Sequence, residues 1–149
     1  MFRFILVGKG AAAMLACAAL ASTAAQAATT PNGLNFSVTV SKNGGSPFSD
    51  CFSFGTDGRL KVSGLSRFGT MVYADDTYGT DVTWLSVAPP AFVSRYGASF
   101  TFTGAVAANG NLVATGLSTP AYTYAITGTP TASCKAAPSF GPGGWLARH

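Results

Sequence analysis

Asp50, Asp57, Asp75, Asp76 and Asp81 are the whole carboxylate side-chain supply of this 149-residue chain, and its single histidine, His149, is the last residue. Nucleophilic catalysis by serine or cysteine needs a base within hydrogen-bond reach, and an imidazole at a terminus prone to fraying is badly placed to be one. A Ser-His-Asp hydrolase is therefore excluded. Glycoside hydrolysis needs two carboxylates flanking a cleft. Asp57 stands before Gly58 in a turn sequence and has a structural use there. That leaves Asp75, Asp76 and Asp81, spaced as DDTYGTD, for a carboxylate dyad or an oxygen-rich calcium site. The spacing fits no calcium loop, and short acidic runs are usually loop surface. Gly44–Gly45 and Gly143–Gly144 lack the lysine and helix of a phosphate loop. The chain is expected to be no enzyme and to carry no metal or cofactor.

The aromatics offer binding chemistry instead. Tyr73, Tyr78 and Trp84 surround the acidic run. Tyr73, Asp75, Asp76, Tyr78, Asp81 and Trp84 form the candidate ligand-binding set, a platform for a sugar ring or a peptide. Tyr96, Tyr122 and Tyr124 recur later, but Tyr122 and Tyr124 alternate with Ile126 and read as packing on a strand face. Trp145 sits in SFGPGGWLARH, a Gly/Pro-rich tail without regular structure that docks through Phe140, Trp145 and Leu146 on its own domain, on a neighbour, or nowhere. The cations Lys42, Arg59, Lys61, Arg67, Arg95, Lys135 and Arg148 form no basic stripe, which excludes nucleic acid. The expected partner is a protein, a glycan or a small apolar ligand.

The N-terminus gives the compartment. Arg3 and Lys9 make a positive n-region, and the apolar stretch from Gly10 to Leu20 is too short for a bilayer span of about 20 residues. Ala25, Gln26 and Ala27 then supply the small-x-small cleavage site of a secretory signal. Cys17, after Met14, Leu15 and Ala16, fits a lipoprotein box poorly. The expectation is a Sec-type bacterial signal peptide over 1–27, a single β-domain over 28–137 and a tail over 138–149, periplasmic or extracellular, with no stable membrane span. Cys51 and Cys134 are then an even pair in an oxidising compartment and are expected to be bonded.

The elements that must position these groups read as strands. Gly, Ser and Thr interleaved with aromatics disfavour helix and suit strands and tight turns. Leu34 to Ser41 alternates strictly, with Leu34, Phe36, Val38 and Val40 on one face. Phe48, Phe52 and Phe54 share a face after the turn Lys42–Pro47, and Cys51 points the other way, placing its bridge on the outer face or at an edge. Further strands are expected over 60–65, 70–74, 82–87, 99–105, 111–116 and 122–127, with another at 132–135. Asp75 to Gly79 and Asn109-Gly110 supply turns, Pro89-Pro90 breaks any strand, and no helix of usual length fits. The fold class is all-β, a small antiparallel sandwich or barrel of about eight short strands.

DGRLKVSGLS at 57–66 and NGNLVATGLS at 109–118 are identical at half of their positions, and each follows an FxF pair, Phe52/Phe54 and Phe100/Phe102. Duplicated hairpins are the preferred reading; convergence on the same turn chemistry is the other. Leu34 to Val40, with a signal peptide and one disulfide, resembles the donor strand of chaperone-usher pilins. That resemblance implies an immunoglobulin-like fold polymerising by strand exchange. The cysteines here are more widely spaced and LARH is no alternating C-terminal strand, so the pilin-like subunit is the alternative to a binding protein. A small hydrolase using Asp75, Asp76 and Asp81 is the third reading.

Overall fold

The computed structural model describes residues 29–78, 81–88, 90–96, 99–118, 122–135 and 145. The signal and its cleavage residues Ala25 and Ala27, most of the tail, and the side chains of Tyr78 and Asp81 lie outside what is described.

Eight antiparallel strands follow one another around a closed barrel: β1 (Asn35–Lys42), β2 (Phe48–Phe54), β3 (Arg59–Val62), β4 (Met71–Tyr78), β5 (Asp81–Val87), β6 (Phe100–Val106), β7 (Leu112–Ser118) and β8 (Tyr122–Thr131). β8 pairs back onto β1 from Asn35↔Thr131 to Lys42↔Tyr124. The choice between sandwich and barrel is thus settled as a barrel, and β1, hydrogen-bonded to β2 on one flank and β8 on the other, has no free edge.

Period-two alternation drives this architecture, since every second side chain of a strand shares one face. Phe36, Val38 and Val40 of β1, Phe52 and Phe54 of β2, Leu60 and Val62 of β3, and Phe100, Phe102 and Val106 of β6 point inward and are buried. Outward positions of β1, β6, β7 and β8 are Ser, Thr, Ala, Asn, Leu and Val; on β5 they are Thr83, Leu85 and Val87, with Asp81 at the first position of the same register. An eight-stranded barrel has an interior just wide enough for side chains or one small ligand. Here rings occupy it: Phe54 lies 4.9 Å from Trp84 and 5.1 Å from Tyr73, and Phe52 lies 5.7 Å from Phe102, centroid to centroid. Inward positions on β7 and β8 alternate large with small: Leu112, Tyr124 and Ile126 stand among Ala114, Gly116 and Gly128. A Cβ on Gly116 would stand 2.5 Å from the Phe102 ring that covers it from the paired position on β6. The Phe102 ring therefore needs the glycine opposite it.

Several expected boundaries move. Asp75–Tyr78 is strand, not turn: β4 runs on through it, with Asp75↔Trp84 and Asp76↔Thr83 paired to β5. The β-branched and aromatic residues on either side, Thr77, Tyr78, Val82 and Thr83, favour extension and outweigh two aspartates. The strand expected over 60–65 stops at Val62, where a 3₁₀ helix, Ser63–Phe68, begins. A short helix, α1 (Pro90–Tyr96), follows β5, with Pro90 in its first turn, where a missing N–H costs nothing. No ninth strand forms at 132–135; β8 instead extends to Thr131.

Cys51 and Cys134 are bonded, with Cα atoms 5.6 Å apart, and Cys51 is on the outward register of β2 as its spacing predicts. The bridge ties the chain leaving β8 to β2, across the intervening β1. The repeated motifs form the β2–β3 and β6–β7 hairpins, four strands apart in the barrel. Both use one turn: Gly55 N–H donates to Arg59 O at 2.7 Å and Ala107 N–H to Asn111 O at 2.8 Å, with Gly58 and Gly110 at positive φ. Asp57 and Asn109 each accept the backbone N–H two residues on.

Candidate functional site

At the barrel end where β1 finishes and β2 starts, a side chain from the tail enters the interior. Trp145 is 2% exposed, and its ring centroid lies 5.2 Å from Phe48, 5.3 Å from Phe102, 5.2 Å from Tyr124, 5.9 Å from Phe100 and 6.3 Å from Phe52. Edge-on, tilted and stacked contacts all occur, the geometries that ring quadrupoles favour.

One polar anchor orients this ring. Trp145 Nε1–H donates to Asp50 Oδ2 at 2.7 Å, a charge-assisted bond. Asp50, 6% exposed, also accepts from the backbone N–H groups of Cys51 at 2.6 Å and Gly64 at 3.0 Å. Burial pushes the Asp50 carboxyl above the usual carboxylate range, against the downward pull of those three donors. Gly64 is required by close approach: a Cβ there would stand 2.6 Å from Asp50 Oδ2 and 3.1 Å from Trp145 Nε1. This contact explains why β3 yields to a 3₁₀ turn, which brings the Gly64 N–H to the carboxylate. Tyr124 closes the other side of the indole, its hydroxyl donating to the Trp145 carbonyl at 2.9 Å with Ser118 Oγ 3.4 Å away. Burial pushes its phenol up, keeping it a neutral donor. At the rim, Lys42 Nζ sits 3.7 Å above the Tyr122 ring, a cation–π contact.

The constellation is a flat aromatic slot with one buried anion at its edge. It holds a planar ring that brings a hydrogen-bond donor, and among the described residues no second titratable group makes a hydrogen bond to Asp50.

The residues expected to form a ligand platform are not assembled into one. Tyr73 and Trp84 are buried in the core; Asp75 and Asp76 are exposed on β4. As successive residues of a strand, the two aspartates project to opposite faces, which is not a carboxylate dyad. Thr30 Oγ1 donates to Asp75. Tyr78 and Asp81 pair at the tip of the β4–β5 hairpin. Asp50 was missed as a site residue although its signal is readable: it stands between Phe48 and Phe52 on the inward register of β2, a charge where the alternation demands an apolar residue.

An open groove of about 380 Å³ lies on the outer wall between β7, β8 and β1, with Ser37, Thr39, Asn109, Asn111, Thr127 and Thr129 supplying hydroxyls and amides. Its described lining includes neither a charge nor an aromatic ring. Among the described residues no helix is long and apolar enough to cross a membrane. Comparison with family models, with curated proteins and with solved structures finds no match to this chain.

Proposed function

We propose that this is an exported, non-enzymatic binding protein whose recognition site is the barrel mouth that Trp145 fills. The observation that carries the reading is the construction of that mouth: rings from three strands converge on a single buried carboxylate, and the group satisfying it comes from a tail rather than from the barrel wall. A barrel needing only a filled core has no use for a charge that burial penalises. Export is supported by the n-region, h-region and Ala25-Gln26-Ala27 sequence together with the Cys51–Cys134 bridge, which suits an oxidising compartment. The ring-filled, apolar interior is unlike the polar lumen of a lipid-facing barrel, while the outer wall mixes hydroxyls with exposed Val72, Leu85, Val87, Val113 and Leu117. The pilin-like alternative draws no support from a β1 paired on both flanks.

Native mass spectrometry of the protein purified from the envelope of its own host, without denaturant, tests the proposal. The expected species is the chain beginning at Ala28, oxidised, with a discrete small-molecule increment that is lost on denaturation. A bare oxidised chain under conditions that preserve ligands would sink tight binding, and an uncleaved N-terminus would sink export.

A further inference from the structure

We infer that the mouth is selective for indole-class ligands, planar aromatics carrying a ring N–H, with Trp145 as its built-in competitor. The inference rests on the binding role proposed above and specifies the ligand. Two buried indoles in this protein make the case by contrast. Trp84 Nε1, on β5, is buried without a hydrogen-bond partner among the described residues, so the barrel interior tolerates an indole as mere bulk. Trp145 Nε1 is instead given a carboxylate at 2.7 Å, and that carboxylate is itself held by the backbone N–H groups of Cys51 and Gly64. The anchor is oriented by its surroundings before any ring arrives, which is what selectivity for a donor requires. A ring of the same shape without an N–H would leave Asp50 Oδ2 buried and short of a donor, and such a loss discriminates far more strongly than a missing methylene.

The tail is a competitor of adjustable strength. Cys134 fixes its base next in space to Cys51, the residue after Asp50, so Trp145 reaches the slot from a short tether. A group joined to its site by a tether of this length acts at an effective concentration in roughly the millimolar range. A free ligand must exceed that competition in the full chain and faces none in a Trp145→Ala chain. The tryptophan of a second copy would satisfy the same chemistry.

The test uses indole and 1-methylindole, which share a ring and differ at the N–H, on the oxidised full chain and on Trp145→Ala. Calorimetric titration of folded Trp145→Ala is expected to show saturable one-to-one indole binding, at least tenfold tighter than 1-methylindole. In the full chain, indole should shift the Nε1–H resonance of Trp145 and leave that of Trp84 in place, with apparent affinity weaker than in the variant. Adding Asp50→Asn should collapse the indole preference. Equal binding of the two probes, or none by a folded variant, overturns the inference. If Trp145→Ala does not fold, the full-chain resonance experiment decides alone, absence of a Trp145 shift at millimolar indole being the negative result. Concentration-dependent dimers in the full chain, dispersed by indole, would identify a second copy's Trp145 as the source of the ring. Indole binding by the variant with no displacement in the full chain would refute the proposed binding role while leaving the slot's selectivity intact; a host ligand lacking a ring N–H would do the converse.

Discussion

At one end of the barrel Pro31 and Asn32, just before β1, close the fold together with Tyr73 of β4; at the other, Trp145 closes it around a buried carboxylate, from a tail beyond β8. The first closure is local. Tyr73 OH lies 2.7 Å from Gly55 O and 3.2 Å from Asn32 Oδ1, Thr29 bridges to Val106, and Leu34 O accepts from Phe54 N–H, so the lead-in is stitched to β2, β4 and β6. The second depends on one ring. Its contacts with the barrel are concentrated in a single side chain, Trp145. A closure built that way opens as a unit, and the two ends therefore belong to different levels of local stability.

Breaking the Cys51–Cys134 bridge should have the largest effect, because it acts on both the barrel and the base of the tail. With the partners separated by 83 positions in sequence, chain entropy sets the stabilisation at up to about 4.5 kcal/mol. Cys51→Ser with Cys134→Ser should unfold at markedly lower urea, and the Trp145 end should lose hydrogen-exchange protection before the Tyr73 end does. Equal loss at both ends would break the distinction between them. Trp145→Ala comes next: removing a buried ring from a packed core costs about 3–5 kcal/mol. If unfolding in urea is unchanged, Trp145 is not a structural part of the mouth in solution.

Much of the barrel is legible in the sequence, and the reasons separate what is readable from what is not. Leu34–Ser41, Phe52 with Phe54 and the Asn109-Gly110 turn declare themselves through period two and positive φ, both local properties. The DDTYGTD run misleads because acidic residues signal a turn only when their neighbours do not prefer extension, and here Thr, Tyr and Val do. Trp145 stands out by type, yet its destination depends on a meeting with Asp50 across 95 residues, and no local pattern encodes that. The charge on the inward register of β2 is the one readable sign. It implies a buried partner without saying which.

That charge also sharpens the comparison through pH. The Asp50 carboxyl titrates above the usual carboxylate range because burial penalises its charge, so the folded chain takes up this proton before the unfolded chain does. Where the folded state binds more protons, stability falls as pH rises. The contribution of Asp50 should thus grow as pH is lowered from its folded value toward the ordinary carboxylate value of about 4, and level off below it. Tyr124, whose hydroxyl also faces this end, is pushed up by burial and stays neutral in acid, and Lys42 at the rim stays charged there. Thermal unfolding against pH should show this slope in the native chain and lose it in Asp50→Asn. Tyr73→Phe, which removes a neutral hydroxyl from the opposite end, should cost about 1 kcal/mol and leave that slope unchanged. A Tyr73→Phe chain with an altered acid slope would mean the two ends are coupled.

The smallest effect is expected between the ends, on β5. Ser86 points inward, 1% exposed, and its Oγ has no hydrogen-bond partner among the described residues, like Nε1 of Trp84 two positions earlier on the same face. An unpaired buried hydroxyl carries its desolvation cost with nothing to offset it. Replacing it by a methyl removes that cost and leaves a gap of one oxygen atom, so Ser86→Ala should be neutral or stabilising by up to about 1 kcal/mol. Urea unfolding reads this directly. Destabilisation by more than that would mean that the hydroxyl is paired after all, through a buried water bridging it to Trp84, and the middle of the barrel would then hold a second polar site. A neutral or stabilised variant leaves Asp50 as the buried polar side chain of the interior whose partners are built for it, and places recognition at the Trp145 end alone.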